Sequence, residues 1–165
     1  MLIKKNIHKV LLFFCVMTFT AVSAQKPAVY KINDLLNRIN NNSDTTYVVN
    51  FWATWCKPCV AELPEFEKLH VDSKEKNTKV KVLLVNMDFV EELDKKLKDF
   101  LVKNKYTCEI VLLDEINGND FINKISEKWS GAIPATLITK KDKAQNYFHE
   151  SKMTFDGLQA AILEK

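Results

Sequence analysis

Glycine and proline are scarce, at three and four residues in a chain of 165. With hydrophobic residues at 47% and charged residues at 27%, this composition excludes a collagen-like or disordered chain and describes a globular one. No repeat or low-complexity linker divides it, and its length suits one ordinary domain and hardly two. No apolar run reaches the ~20 residues that a spanning helix needs. A basic footprint is also missing. Of 24 basic residues, Lys4, Lys5 and Lys9 precede residue 25, which leaves 21 against 21 acidic residues. A formally neutral body argues against nucleic acid as a partner, because phosphate binding needs clustered positive charge. Cysteine is sparse too. Cys15 lies near the start, and Cys56, Cys59 and Cys108 remain. Three is odd, so a fully paired disulfide framework is excluded for a monomer.

The first acidic residue is Asp34, and residues 1–24 have an order of their own. Three lysines come first, then the uncharged run Val10 to Met17, then the small residues Ala21, Ser23 and Ala24. A basic region, an apolar core and a small-residue cleavage site make a signal peptide, cut after Ala24. A retained anchor is the alternative. A lipoprotein reading through Cys15 is disfavoured, since Phe14 stands where a small residue is wanted. Residues 25–165 are then expected to be a single domain in the periplasm or another extracytoplasmic space, where disulfides persist.

Periodicity sets out the elements of this domain. Only Gln25 to Tyr30 precedes a first helix marked by Ile32, Leu35, Leu36 and Ile39. Thr45 to Trp52, Val80 to Asn86 and Glu109 to Leu113 read as strands, the last two nearly continuous in apolar residues as for burial on both faces. Helices follow each: one from Pro58 with Val60, Leu63, Phe66 and Leu69 inward, expected to kink at Pro64; one marked by Leu93, Leu97, Phe100 and Leu101; and a short one marked by Phe121, Ile125 and Trp129. Ala135 to Thr139 and Ala144 to Phe148 read as an antiparallel hairpin at one edge, and Phe155, Leu158 and Ile162 mark a closing helix. The expected order, α-β-α-β-α-β-α-β-β-α, implies an α/β fold with a central, mostly parallel sheet covered on both faces. A core of that size holds without disulfides, which leaves the cysteines for chemistry.

The chemistry concentrates in Asn50-Phe51-Trp52-Ala53-Thr54-Trp55-Cys56-Lys57-Pro58-Cys59. A strand runs in and a helix begins within the motif, so the two cysteines share one face and are able to close a disulfide. Cys56 at the helix N-terminus meets unpaired N–H groups and the positive dipole end, which favour the thiolate. Cys59, a turn deeper beside Val60 and Leu63, stays protonated. Cys56 is therefore expected to attack a substrate disulfide and Cys59 to resolve the mixed disulfide. Lys57 adds positive charge near the sulfur, and Pro58 removes one N–H donor. Zinc is disfavoured, because no second pair stands at metal spacing and Cys108, His70 and His149 are isolated. An inert structural disulfide closing so small a loop adds little stability.

This segment resembles the thioredoxin superfamily and is most similar to its exported TlpA/ResA-type thiol–disulfide oxidoreductases. Pro64 and the stretch Ile133-Pro134-Ala135-Thr136 carry the same resemblance. It implies a thioredoxin-like fold, a cis-Pro134 loop facing the cysteines, and strand-like pairing of the Ile133 backbone with a substrate peptide. It implies Trp55 as an apolar lip, with Lys57 and Pro58 beside it, and Trp52 in the core. Asn50 stands where cytoplasmic thioredoxins carry a buried aspartate. Glu62 stands where the exported reductases carry a glutamate, one turn past Cys59, to take or relay its proton through water; the alternative for Glu62 is a solvated first-turn acid.

The candidate catalytic residues are thus Cys56, Cys59 and Glu62, and the candidate substrate-binding residues are Trp55, Lys57, Pro58, Ile133 and Pro134. No metal and no cofactor beyond the Cys56–Cys59 disulfide is implied. The expected partners are proteins bearing disulfides or thiols, with a membrane electron donor as a further candidate, and the chain is expected to be a monomer. The expected function is reduction of protein disulfides. The alternatives are a disulfide oxidase or isomerase of the same fold, or a redox-inactive, copper-handling binding module, although Met87 and Met153 are not obviously placed for copper. A peroxidase reading lacks its Pro-x-x-x-Thr-x-x-Cys arrangement. Cys108 reads as a core or edge residue rather than a third redox thiol, and His70 and His149 read as surface residues.

Overall fold

A computed structural model describes residues 26–41, 44–140 and 146–164. The signal peptide expected over residues 1–24 lies outside the described residues, as do residues 141–143 of the turn expected at Lys140 to Lys143 and the first two residues of the strand expected over Ala144 to Phe148. The strands are β1 (Ala28–Tyr30), β2 (Thr46–Trp52), β3 (Val80–Asn86), β4 (Glu109–Leu113), β5 (Ala135–Thr139) and β6 (Tyr147–His149). The helices are α1 (Ile32–Asn40), α2 (Lys57–Glu75), α3 (Lys98–Asn104), α4 (Ile122–Ile125) and α5 (Phe155–Leu163). The strands form one sheet in the order β1-β4-β3-β2-β5-β6. Its first four strands are parallel, and β2–β5 and β5–β6 are antiparallel. The expected α/β class and antiparallel edge pair are both present.

Alternation along the central strands divides the core into two layers. Val48 and Trp52 of β2 and Val82 and Leu84 of β3 join Leu63, Phe66 and Leu69 of α2, Leu101 of α3 and Leu158 of α5. Tyr47, Val49, Phe51, Leu83 and Val85 face the other way, onto Ile32, Leu35 and Ile39 of α1 and Ile125 of α4. Helices therefore cover both faces. Local signals start them: Asp34 Oδ2 accepts the Lys31 N–H at 3.0 Å ahead of α1, and Thr154 Oγ1 accepts the Gly157 N–H at 3.2 Å ahead of α5. α2 runs as one helix through Pro64, a residue with no N–H to give to Val60.

Several elements differ from the expected pattern. β1 adds a strand that pairs with β4, Ala28 opposite Val111 and Tyr30 opposite Leu113. Three residues are too few to show a period, and only its partner makes this segment a strand. Between β3 and α3 the chain takes a 3₁₀ turn at Val90–Glu92 and a wider turn at Leu93–Leu97, where Lys95 leaves helical geometry (φ −123°, ψ −105°). Leu93, Leu97 and Leu101 still reach the core. Trp129 lies beyond α4, because Ser126 turns extended and ends that helix. Its ring packs against Phe51, Phe121 and Phe148 at centroid distances of 4.7, 5.8 and 5.9 Å, and its Nε1 donates to the Ala132 carbonyl at 2.8 Å. Gly131 follows at φ +95°, a conformation that strains any residue with a Cβ, so this turn favours glycine. β6 is centred later than expected, ending at His149.

Trp129 thus anchors the loop that leads to Pro134. Trp129→Ala is expected to destabilise the protein by about 3–5 kcal/mol, the range for truncating a buried aromatic. The measurement is the denaturant midpoint, and Trp129→Phe should lose only part of that.

Candidate functional site

β2 delivers the chain to the edge where the parallel strands end, and the segment Ala53 to Cys56 turns it into α2. Two polar groups hold that turn. Met87 N–H donates to the Trp52 carbonyl at 2.8 Å, and buried Asp88 accepts the Thr54 N–H at 3.1 Å while bonding Asn86. Cys56 is the N-cap of α2, and its Sγ accepts the Cys59 N–H at 3.3 Å. The two cysteines form a disulfide with Cα atoms 5.2 Å apart. In the reduced protein the same N–H and the helix dipole face the Cys56 thiolate. Exposure separates the pair: Cys56 is 6% exposed and Cys59 is 0%. A reagent from solvent reaches Cys56 first.

The residues expected around the sulfurs fall as follows. Trp55 is 67% exposed, with Lys57 and Pro58 exposed in the first turn of α2, and Trp52 is wholly buried. Because β5 runs opposite to β2, its start lies at the edge where β2 ends. The Ile133 carbonyl is 3.7 Å from Cys56 Sγ, and the Ile133–Pro134 bond is cis. Ile133 is half-buried and Pro134 buried. Glu150 secures the approach to this loop, accepting from the N–H and hydroxyl of Ser130 and from the Ala132 N–H. These bonds hold its pKa below the usual carboxylate range.

Glu62 is not a solvated first-turn acid. It is 1% exposed, on the inner face of α2 one turn past Cys59. Asn50 Nδ2 donates to its Oε1 and the Met153 N–H to its Oε2, both at 2.8 Å. Burial pushes its pKa up to about 6, against the pull of the Met153 N–H, the Asn50 amide and the Lys152 charge. A carboxyl poised there exchanges a proton readily near neutral pH.

Cys108 is buried and free, one residue before β4. Burial and the neighbouring Glu67 raise its pKa, so it stays a thiol. Burial disfavours ionised Glu67, but donors from Thr107 and Cys108 outweigh this and lower its pKa. His70 departs from the surface reading. It is half-buried on α2, burial lowers its pKa, and its Nε2 is shielded without a partner among the described residues. His149 is half-buried, its Nε2 2.6 Å from Ser151 Oγ. Among the described residues no group of three His, Cys, Asp or Glu is placed to hold a metal ion, and no helix is long and apolar enough to cross a membrane. Sequence reasoning missed Asp88 and Glu150 as supports of the site. Their partners lie 18 to 34 residues away for the two acids, and no local spacing signals such bonds.

A helix-capping Cys-x-x-Cys disulfide opposite a cis-proline loop, on a sheet of this order, defines a protein of thioredoxin-like fold. The structure of StoA from Bacillus subtilis is similar, with 25% identity and a TM-score of 0.56 over 73% of this chain and 84% of that one. The chain belongs to the AhpC/TSA family, whose model matches residues 36–144. It is similar to the thioredoxin-like protein YneN of Bacillus subtilis, 35% identical over 65% of this chain and 57% of that protein. It is also similar to the thiol-disulfide oxidoreductase ResA of Oceanobacillus iheyensis, 31% identical over 92% of this chain and 83% of that protein. The expected kinship with ResA-type proteins is borne out.

The raised pKa of Glu62 has a sign for stability. A carboxyl whose folded value lies above its unfolded one contributes most below the unfolded pKa, and that contribution is lost as pH rises through the folded value. Relative to the oxidised native protein, oxidised Glu62→Gln should therefore gain stability as pH climbs from 4.5 to about 6 and level off above. Thermal melts across pH 4–8 check this, and a constant difference in Tm would contradict it.

Proposed function

We propose that this protein is an extracytoplasmic thiol–disulfide oxidoreductase that reduces disulfides in other proteins. The observation that carries the reading is the asymmetry of the two sulfurs: Cys56, slightly exposed, caps the helix, and Cys59 is sealed beneath it. The Cys56 thiolate attacks one sulfur of a substrate disulfide and the other substrate sulfur leaves, forming a mixed disulfide. Cys59 then gives its proton to the Glu62 carboxylate and attacks Cys56 Sγ. The bond from Cys56 to the substrate breaks, and the second substrate sulfur departs with its electron pair. Trp55, Lys57 and Pro58 form the lip on which the substrate rests, and the half-buried Ile133 offers its backbone ahead of Pro134. Residues 25–165 act as one domain and as a monomer. The leader-like order of residues 1–24 supports export, and a membrane donor of electrons would return the pair to the dithiol. The disulfide itself serves as the redox group.

Activity, potential and trapping test this. Insulin reduction with dithiothreitol should proceed with the native protein and fail with Cys56→Ser; inactivity of the native protein would leave only a binding module. Equilibration with glutathione should give a potential near about −270 mV; one near about −120 mV would reverse the direction to oxidation. Cys59→Ser should trap substrates on Cys56, and trapping only through Cys108 would overturn the roles. Glu62→Gln should slow exchange at neutral pH by about 100-fold, the lower end of what a general base contributes; an unchanged pH–rate profile would remove Glu62 from the reaction.

A further inference from the structure

Asn50 is completely buried in β2, its side chain on the layer that holds α2 and both cysteines. Its Nδ2 donates to Glu62 Oε1 at 2.8 Å and lies 3.3 Å from Thr136 Oγ1 and 3.4 Å from the Ala135 carbonyl. Its Oδ1, sealed from solvent, has no hydrogen-bond partner among the described residues. A buried amide oxygen left without a donor is uncommon and calls for a reason.

The proton that Glu62 receives supplies one. While Glu62 is ionised it only accepts, and Asn50 Nδ2 and the Met153 N–H satisfy one oxygen each. Once Cys59 has passed its proton to Glu62, one carboxyl oxygen becomes a donor and needs an acceptor. The Met153 N–H cannot serve, nor can Nδ2. Asn50 Oδ1, on the same side chain, is an acceptor without a partner.

We propose that Asn50 is a positioning residue for proton transfer at Glu62, its amide turning about its last side-chain bond so that it donates to the carboxylate and accepts from the carboxylic acid. This rests on Glu62 being the proton acceptor for Cys59. The balance is that of the resolving step. The proton leaves Cys59 Sγ for Glu62, the Cys59 electron pair forms the bond to Cys56 Sγ, and the pair of the broken bond leaves on the substrate sulfur. The amide turns with no bond made or broken. Before the turn Nδ2 meets Oε1 and Oδ1 has no partner; after it, the Glu62 O–H meets Oδ1 and Nδ2 is the atom displaced. Thr136, also fully buried, bears a hydroxyl that accepts from Nδ2 in one state and donates to Oδ1 in the other. After the turn Oδ1 accepts from the Glu62 and Thr136 hydroxyls while the Ala135 carbonyl loses Nδ2, so the ionised state keeps the fuller set of bonds and the turned amide gives the acid the acceptor it otherwise lacks. An aspartate at this position only accepts when ionised and adds a second buried charge.

The charged and titratable groups on the elements around Glu62 are few. Lys152, before α5, acts on it with positive charge. Cys59 and Glu65 stand one turn before and after it on its own helix, with Glu65 Oε2 held by the Phe155 N–H at 3.0 Å, and Asp156 stands in the first turn of α5. From β2 and β5 come only the uncharged Asn50 and Thr136.

The test has two arms. In the native oxidised protein, the side-chain amide resonances of Asn50 and the carboxyl carbon of Glu62 are followed by NMR from pH 4 to 8. The two are expected to titrate with one midpoint; Asn50 resonances that stay flat or follow another midpoint overturn the proposal. In the second arm, Asn50→Leu removes the amide at similar volume. The acid limb of its exchange-rate profile is expected to move up by about one pH unit, since a donor to the ionised form is lost, with the high-pH plateau retained. A variant that is less stable but keeps the native midpoint shows a merely structural Asn50 and overturns the proposal. Should Asn50→Leu fail to fold, the native titration decides. The two readings fail differently: an unchanged profile in Glu62→Gln removes Glu62 from the reaction and the Asn50 role with it, whereas separate NMR midpoints beside an altered Glu62→Gln profile overturn the Asn50 role alone.

Discussion

The site depends on a reversal of direction in the middle of the sheet. β2 is parallel to β3 on one side and antiparallel to β5 on the other, with Asn50 opposite both Leu84 and Thr136. The end of β2 and the beginning of β5 therefore meet at one edge. That brings Cys56 to the Ile133 carbonyl across 77 residues of chain. β2 is buried almost throughout, so a slip of one residue would turn Val48 and Trp52 out of their layer and is strongly disfavoured. The register that packs the core also aims the sulfur.

A second constraint lies beneath the sulfurs. A carboxylate withdrawn from water is costly unless it is hydrogen-bonded. Glu62 has two donors, one from the central strand and one from the segment that leads into α5. Burial still outweighs them and keeps its proton affinity high. The bonds tie α2, β2 and the segment before the last helix to one side chain, so this buried carboxyl is a joint of the fold. Asp88 and Glu150 do comparable service at the rim, each accepting backbone N–H groups from a loop beside the sulfurs.

Much of the fold was legible in residue order. β3, β4 and β5 coincide with their apolar runs, and most of the α1 and α2 stripes are buried, while of the α5 stripe Leu158 is buried and Phe155 and Ile162 are half-buried. The failures have separate causes. β1 has three residues and no period, and exists because β4 offers an open edge. Trp129 continues a helical spacing from Phe121 and Ile125, but the aromatic cluster captures it after the helix has ended. His70 looked like one more polar residue on the outside of α2, whereas the assembled fold shields its Nε2.

By itself the sequence determined the chemistry of the cysteine pair and its place at a helix start. Both follow from contacts within a few residues: a sulfur three positions from its partner, the N–H groups of one helical turn, and a proline allowed in that turn. Tertiary structure decided everything that needed a distant partner: which sulfur is sealed, what faces it, and the state of Glu62. Spacing alone left Glu62 either in water or against the sheet, because a residue one turn past Cys59 can face either way. Asn50, Met153 and the closing of α5 over α2 settled the matter, since burial and hydrogen bonding are properties of the assembled layers and not of any short stretch of chain.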